Sequence, residues 1–319
     1  MNVARILQAY YLTASAIVLT VHALPFLRGR LLPYGSRGTP STESDTSAAH
    51  ADDNVSKVGG KEKSAFSNLL DRIAAIQVPH SWFNHFYQVS VVSSVFWAYQ
   101  LTLHGTVRSF IFDRISPSLL ATPSMTIEQV WLVWVLLWIQ GVRRSLETRL
   151  YAKPSTSTMH ISHWLVGVTF YIADGMAIWV EGIPVLMIAE DISTSDVFSI
   201  FRLFRSPKAC FCVIFFAVAS LVQNRAHAHL ASLKTYQIPP SPLFRYVLCP
   251  HYAAEIAIYI AFALLAAPRG QVVNTTMTTA LVFVVVNLCV TADGTKAWYI
   301  KRFGQDKVGS RMRVIPGIW

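Results

Sequence analysis

Pro250-His251-Tyr252-Ala253-Ala254-Glu255-Ile256, running on into the apolar segment Ala257–Ala267, carries a histidine and a glutamate into a stretch that otherwise has the composition of a lipid-facing helix. Ionisable side chains are costly in such a span and are kept where they have a partner, a wet cavity or a polar ligand. His251 and Glu255 are four residues apart, which places both on one helix face. The composition around them agrees with a bilayer setting: 53% of the residues are hydrophobic and 14% charged, against roughly 25% charged in soluble domains.

Working outward, apolar runs that approach the roughly 30 Å hydrocarbon thickness lie at Leu7–Leu27, Tyr87–Leu103, Ile127–Gln140, His160–Val180, Ala209–Gln223, Tyr252–Ala267 and Met277–Val290. The chain therefore reads as all-α, a polytopic membrane protein with a seven-transmembrane-helix bundle. Ile127–Gln140 is short and must extend toward Arg143, whereas Val185–Ile200 reads as an interfacial or lumenal loop because it holds Glu190, Asp191 and Asp196. Residues 1–27 are expected to be a retained first span: the apolar stretch exceeds a usual signal core, and Arg28 and Arg30 follow at once. Residues 28–78 read as a flexible cytosolic loop, since Gly35–Asp53 has too little apolar surface to offset the entropy of ordering. Residues 79–319 then form a six-helix core.

The net charge of +10 is unevenly placed. Basic residues follow span one (Arg28, Arg30, Arg37), span three (Arg143, Arg144, Arg149, Lys153) and span five (Arg225, Lys234, Arg245), and fill the C-terminal end (Lys296, Lys301, Arg302, Lys307, Arg311, Arg313). With seven spans these regions share one side, which the positive-inside rule makes cytosolic, C-terminus included. Positive charge there attracts anionic lipid or a phosphorylated ligand, so membrane lipid is an expected partner and nucleic acid is not. Cys210, Cys212, Cys249 and Cys289 form no CxxC pattern. Asn54 and Asn274 each begin a glycosylation sequon, the first facing the cytosol and the second too close to span seven for ready modification. His160 and His163, and His227 with His229, bring a membrane di-iron oxygenase to mind, but that chemistry needs many converging histidines and no HxxHH cluster exists. No metal site is expected. Asp174, within span four, stands outside this reading.

Four segments, read in order, are similar to the steroid 5α-reductase family, and within it to the branch that reduces polyprenal. They are Val78-Pro79-His80-Ser81-Trp82-Phe83-Asn84-His85-Phe86-Tyr87; Gln140-Gly141-Val142-Arg143-Arg144-Ser145-Leu146-Glu147 with Ser157-Thr158-Met159-His160; the run from His227 through Lys234 and Tyr236-Gln237-Ile238-Pro239-Pro240 to Arg245 and Pro250–Tyr259; and Trp298-Tyr299-Ile300-Lys301-Arg302-Phe303 with Arg313-Val314-Ile315-Pro316. The resemblance implies a seven-helix endoplasmic-reticulum enzyme that uses NADPH from the cytosolic side, with the cofactor held by about residues 205–319, to reduce a carbon–carbon double bond conjugated to a carbonyl. The implied substrate is a long-chain polyprenal, converted to dolichal for dolichol synthesis and protein N-glycosylation. Chemistry favours the aldehyde over the alcohol, because hydride adds to an alkene only when a polarised carbonyl can take up the electrons.

By position, the resemblance puts Gln223, His227, Lys234, Tyr236, His251, Glu255, Tyr259 and Tyr299 around the dinucleotide. Arg143, Arg144, Lys234 and Arg245 suit phosphate, since guanidinium matches it bidentately. Steroid-reducing relatives carry a Glu on span two and a Tyr just before the span-three arginines. Here those places read Asn84-His85-Phe86-Tyr87 and Gln140-Gly141. This departure leaves His85 or Tyr87 to polarise the carbonyl, with His85 preferred and Gln140 as a hydrogen bonder, and it argues against a steroid 5α-reductase or a trans-2-enoyl-CoA reductase. A membrane transporter is the non-enzymatic alternative, though the intramembrane charges gather at one side instead of lining a path. No GxGxxG occurs, so a cofactor would sit in the helix bundle and not on a Rossmann unit.

Overall fold

The computed structural model describes residues 1–32, 65–153, 156–189, 199–315 and 317. A long helix stands at each of the seven apolar runs: α1 Val3–Ala23, α2 Asn84–Thr102, α3 Ile127–Leu150, α4 Ile161–Ala177, α5 Pro207–Ser232, α6 Pro250–Leu265 and α7 Thr275–Phe303. Among the described residues, four stretches are long and apolar enough to cross a membrane: α1, Ile161–Ile188 (α4 and its short continuation), α5 and α7; α6 is a shorter apolar helix. The four fall short of seven for a local reason. α2 and α3 bury Ser90, Ser93, Ser94, Gln100 and Gln140 on their inner faces, which lowers their hydropathy, while Val92, Val95 and Tyr99 of α2 and Trp138, Ile139 and Leu146 of α3 remain exposed outside.

Several boundaries move for identifiable reasons. The first apolar run breaks after Ala23, because Leu24 precedes Pro25 and is held extended (φ −94°, ψ 106°), and a separate helix covers Pro25–Leu31. α3 does not end near Gln140 but continues to Leu150, so Arg143, Arg144 and Glu147 are all helical. Arg37, His50, Asn54, Glu190, Asp191 and Asp196 lie outside the described residues, as do residues 33–64 of the connection expected to be flexible. The rest of that connection folds as a helix over Ala65–Ala74, joined to the Pro25–Leu31 helix by Arg30 Nε donating to Asp71 Oδ1 at 2.7 Å.

Capping fixes the helix ends to one another. Thr126 and Gln129 form a reciprocal capping box at the start of α3, and Gln129 Nε2 also donates to Leu265 O (2.9 Å) and Ala267 O (3.0 Å), satisfying carbonyls left open at the end of α6. Asn274, the second sequon, is fully buried as the N-cap of α7: its Oδ1 accepts from Met277 N (2.8 Å) and its Nδ2 donates to Ala266 O (3.0 Å). A glycan cannot be attached there without undoing that cap. Glu181 accepts from Thr276 N and Oγ1 at the same helix start, where a carboxylate suits the helix dipole.

Strands β1 (Gln77–Pro79) and β2 (Thr158–His160) pair antiparallel, with Val78 opposite Met159, and pin the start of α2 to the start of α4. Packing is most extensive along two runs: α1, α7, α6 and α5 form one, α3, α2 and α4 the other. The runs meet where α3 touches α5 and α6 and where α4 touches α1 and α7. α6 is the most enclosed, burying Ala254, Ile256, Ile258, Tyr259, Ala261, Phe262, Ala263 and Leu265.

Small residues let α2 approach its neighbours closely. A Cβ on Gly167 of α4 would lie 2.5 Å from the Phe86 ring, and one on Gly141 of α3 3.0 Å from Ser90 Oγ. Gly167→Val is therefore expected to separate α2 from α4, at a cost of about 1–3 kcal/mol typical of overpacking. The check is the thermal midpoint of the detergent-purified protein, and an unchanged midpoint would show that the ring yields freely.

Candidate active site

A layer of hydrogen-bonded polar side chains lies where the two packing runs meet, built on α2, α3, α5 and α6. Arg143, Arg144 and Glu147 share a face of α3 at helical i+3 and i+4 spacing, and both guanidinium groups donate to the Glu147 carboxylate. Glu147 also accepts from Asn224 Nδ2 (2.9 Å) and lies 3.1 Å from His227 Nδ1, both on α5. The carboxylate is buried, so its charge is held by these partners and not by water.

Each arginine carries the layer in a different direction. Arg143 Nη2 donates to Gln140 Oε1 (2.6 Å) and Gln223 Oε1 (2.5 Å). The two amides in turn donate to Glu255: Gln140 Nε2 lies 3.2 Å from its Oε2, and Gln223 Nε2 bonds to the same oxygen. Glu255 is thus held by amides of α3 and α5, not by His251 or Arg245. Gln223 Nε2 also reaches the His251 carbonyl at 3.4 Å, and the His251 ring lies 5.3 Å from that of His227. Arg144 turns to α2, where its Nη2 donates to Tyr87 OH at 2.8 Å and its guanidinium lies over the phenol ring at 4.6 Å. Two guanidinium charges and two carboxylates balance without any ligand.

Tyr87, Gln140, Arg143, Arg144, Gln223, His227, His251 and Glu255 are therefore brought together, although they come from four helices. Tyr259 follows one turn below Glu255 on α6, and its hydroxyl donates to Asp174 Oδ2 of α4 at 3.1 Å. His85 is not brought in. Two residues from Tyr87, it points to another side of α2, where its Nδ1 accepts from Trp164 Nε1 (3.3 Å) beside the Trp82 ring. Lys234, Tyr236 and Arg245 lie exposed at the same end of the bundle. Tyr236 packs edge-on against Trp298 with Arg302 over both rings, Tyr299 packs on Trp298 and Phe303, and Arg245 stacks on Tyr246.

Glu147, Asn224 and Asp174 were missing from the expected site. Glu147 had a signal, its i+3 and i+4 spacing from two arginines, and Asp174 had one as a carboxyl inside an apolar span; Asn224 had none, since its partners lie on another helix. A cavity of about 200 Å³ lined by Arg5, Gln8, Glu181 and Gln271 lies at the opposite end of the bundle, where α1 and α7 begin. It is remote from the polar layer and takes no part in the chemistry below.

A family model described as 3-oxo-5-alpha-steroid 4-dehydrogenase matches residues 157–319. The polyprenal reductase of Saccharomyces cerevisiae is 30% identical over 260 residues, covering 81% of this chain and 81% of that protein. The chain belongs to the steroid 5α-reductase family. Polyprenal reductase 1 of Oryza sativa subsp. indica is 29% identical over 290 residues (76% of this chain, 80% of that protein), and the Homo sapiens polyprenal reductase 25% over 226 residues (64% and 68%). Within this steroid 5α-reductase family member, α5, α6 and α7, which carry Gln223, His251, Glu255 and Tyr299, fall inside the matched region, whereas α2 and α3, which carry Tyr87 and Arg144, precede it.

Proposed function

We propose that this protein reduces the α,β double bond of a long-chain polyprenal to give dolichal, with NADPH as reductant, in the endoplasmic reticulum membrane. Relatives bearing the name polyprenal reductase support the substrate. The observation that carries the mechanism is the Arg144–Tyr87 pair. Because the Tyr87 oxygen accepts from Arg144, its own proton is free to be donated, and the guanidinium stabilises negative charge drawn onto that oxygen.

An enal whose carbonyl oxygen accepts from Tyr87 is electrophilic at its β-carbon. NADPH, when bound, supplies the hydride. The polar layer fits such a ligand in one respect: the His251 Nδ1 is buried without a partner beside Gln223 and Glu255, a donor or acceptor still to be satisfied. The terminal nitrogens of Arg143 and Arg144 bond Glu147, Gln140, Gln223 and Tyr87, and the phosphates are assigned to the exposed cations Lys234, Arg245 and Arg302, with Tyr236 and Trp298 as a stacking platform. Tyr299 closes this surface from α7. Tyr87 takes the role of carbonyl donor in preference to His85, whose ring is turned away from the polar layer toward Trp164 and Trp82.

This reading places all seven helices across the bilayer, with the polar layer and C-terminus on the cytosolic side. The basic residues gather at that end, and α2 and α3 turn apolar side chains outward. The isoprenoid tail then lies against lipid-facing surface while its aldehyde reaches the layer.

The test is purified protein with NADPH and either polyprenal or polyprenol. Polyprenal is expected to gain two hydrogens by mass, and polyprenol to remain unchanged when no dehydrogenase is present. Direct reduction of the alcohol would defeat the requirement for a carbonyl.

A further inference from the structure

Asp174 is fully buried in the middle of the bundle. Its Oδ2 accepts from Tyr259 OH at 3.1 Å, and its Oδ1 is buried with no hydrogen-bond partner. Among the described residues no Lys, Arg or His bonds to it. An ionised carboxylate so placed, with one oxygen bare, would carry a heavy desolvation cost. A neutral carboxylic acid fits the geometry: the oxygen held by Tyr259 is the carbonyl oxygen, and the bare one carries the proton as an unused donor. Neutral buried acids of this kind act as donors elsewhere in enzymology.

Around this acid the aromatic contacts form a continuous wall. Tyr171 is three residues before Asp174 on α4, hence on the same face, and its ring lies 5.7 Å from that of Tyr87. Tyr259 is four residues after Glu255 on α6. Phe170 packs against Tyr259 (5.9 Å) and Tyr11 (5.8 Å), and the buried Tyr11 hydroxyl, within electrostatic reach of Asp174, has no partner. Tyr171 thus links the carbonyl donor to the acid: its ring contacts Tyr87, and it stands one helical turn from Asp174 on α4.

We propose that Asp174 is a catalytic acid, held by Tyr259, that protonates the α-carbon of the enal; this rests on the enal-reductase reading above. Once hydride has reached the β-carbon, the π pair has moved to oxygen and an enolate is hydrogen-bonded to Tyr87. The enolate re-forms its carbonyl, the α-carbon takes the proton from Asp174 Oδ1, and the carboxylate left behind accepts a proton from water after the product departs. One hydride and one proton are consumed per double bond, and the acid is returned to its starting form.

The experiment uses the full chain in detergent with NADPH and polyprenal. Asp174→Asn is expected to lower turnover about 10²-fold, within the range for loss of a proton donor, with NADPH affinity and thermal midpoint within two-fold and a few degrees of wild type. Tyr259→Phe, which keeps the carboxyl but frees it, is expected to lower turnover about ten-fold. Asp174→Ala is expected to regain activity with formate added at mildly acidic pH, where formic acid supplies the proton, a rescue that a purely structural role would not show. In D2O the wild-type product should carry solvent deuterium at the α-carbon.

Folded Asp174→Asn with turnover within three-fold of wild type overturns the proposal. So does unaltered turnover of Tyr259→Phe, which keeps the test decisive if the asparagine variant does not fold. Wild-type protein that leaves polyprenal unreduced would instead defeat the enal-reductase reading, so the two failures are told apart.

Discussion

Tyr87→Phe is expected to lower kcat for polyprenal reduction by about 10²–10³-fold, the loss seen when one donor to a developing oxyanion is deleted. The phenylalanine ring fills the same place between Phe83 and Tyr171, whose rings lie 5.9 Å and 5.7 Å from that of Tyr87. Ring packing should therefore change little. What disappears is the proton aimed at the carbonyl and the acceptor for Arg144 Nη2. Ground-state binding of a long isoprenoid depends on its tail, so KM should move far less than kcat, which marks an interaction made chiefly in the transition state. His85→Ala serves as the comparison. Its Nδ1 faces Trp164, and its kcat is expected to stay within a few-fold of wild type. Steady-state kinetics on both variants decide the matter: a large kcat loss for His85→Ala with a small one for Tyr87→Phe would exchange their roles.

Glu147→Ala is expected to cost about 3–5 kcal/mol of stability, the usual penalty for removing one member of a buried ion pair. The carboxylate is the acceptor for Arg143, Arg144 and Asn224 and lies beside His227. Its loss leaves two guanidinium groups in the interior with one remaining carboxylate, Glu255, which is bonded to amides and not to either arginine. The effect should appear as a lowered thermal midpoint and poor recovery from detergent. Arg149→Ala, on the exposed side of the same helix, is expected to stay within about 0.5 kcal/mol of wild type. Equal midpoints for the two variants would show that the polar layer is solvated and that Glu147 is dispensable for packing.

The two expectations divide the polar layer into parts with different work. Glu147 anchors it: the residue ties α3 to α5 and holds the positive charge of two arginines in place. Arg143 and Arg144 then distribute that positive charge, one toward Glu255 through two amides and one toward the Tyr87 hydroxyl. Such a network is worth keeping only when every member is satisfied. Of the groups left bare, the His251 Nδ1 and the Asp174 Oδ1 are given a ligand or a substrate atom in the proposed chemistry, whereas the Nε atoms of Arg143 and Arg144 are not.

Positions of the helices were legible from local composition, because each apolar run is contiguous in the chain and hydropathy is a sum over neighbours. Where the runs and the helices differ, another local rule explains it: Pro25 breaks the first, and Gln140 to Leu150 keeps its helical geometry although its composition turns polar. The pair that opened the sequence reading, His251 and Glu255, was correctly placed on one helix, and its neighbours Gln223 and His227 were named from the resemblance. The bonding among them was not legible. Glu255 could have been matched with His251 or Arg245 by proximity in the chain; the fold gives it Gln140 and Gln223 instead, from helices that follow no sequence period relative to it.

By itself, then, the sequence determined the apolar helices, the crowding of basic residues toward one end, the i+3 and i+4 geometry of Arg143, Arg144 and Glu147, and membership of a family through short motifs. Only the tertiary structure decided that Tyr87 and not His85 meets Arg144, that Asn274 is a buried cap, and that Asp174 has Tyr259 for a partner. The physical reason is range. Hydropathy, helical spacing and capping act within a few residues, whereas a buried polar atom takes whichever partner the packing of distant helices brings within about 3 Å.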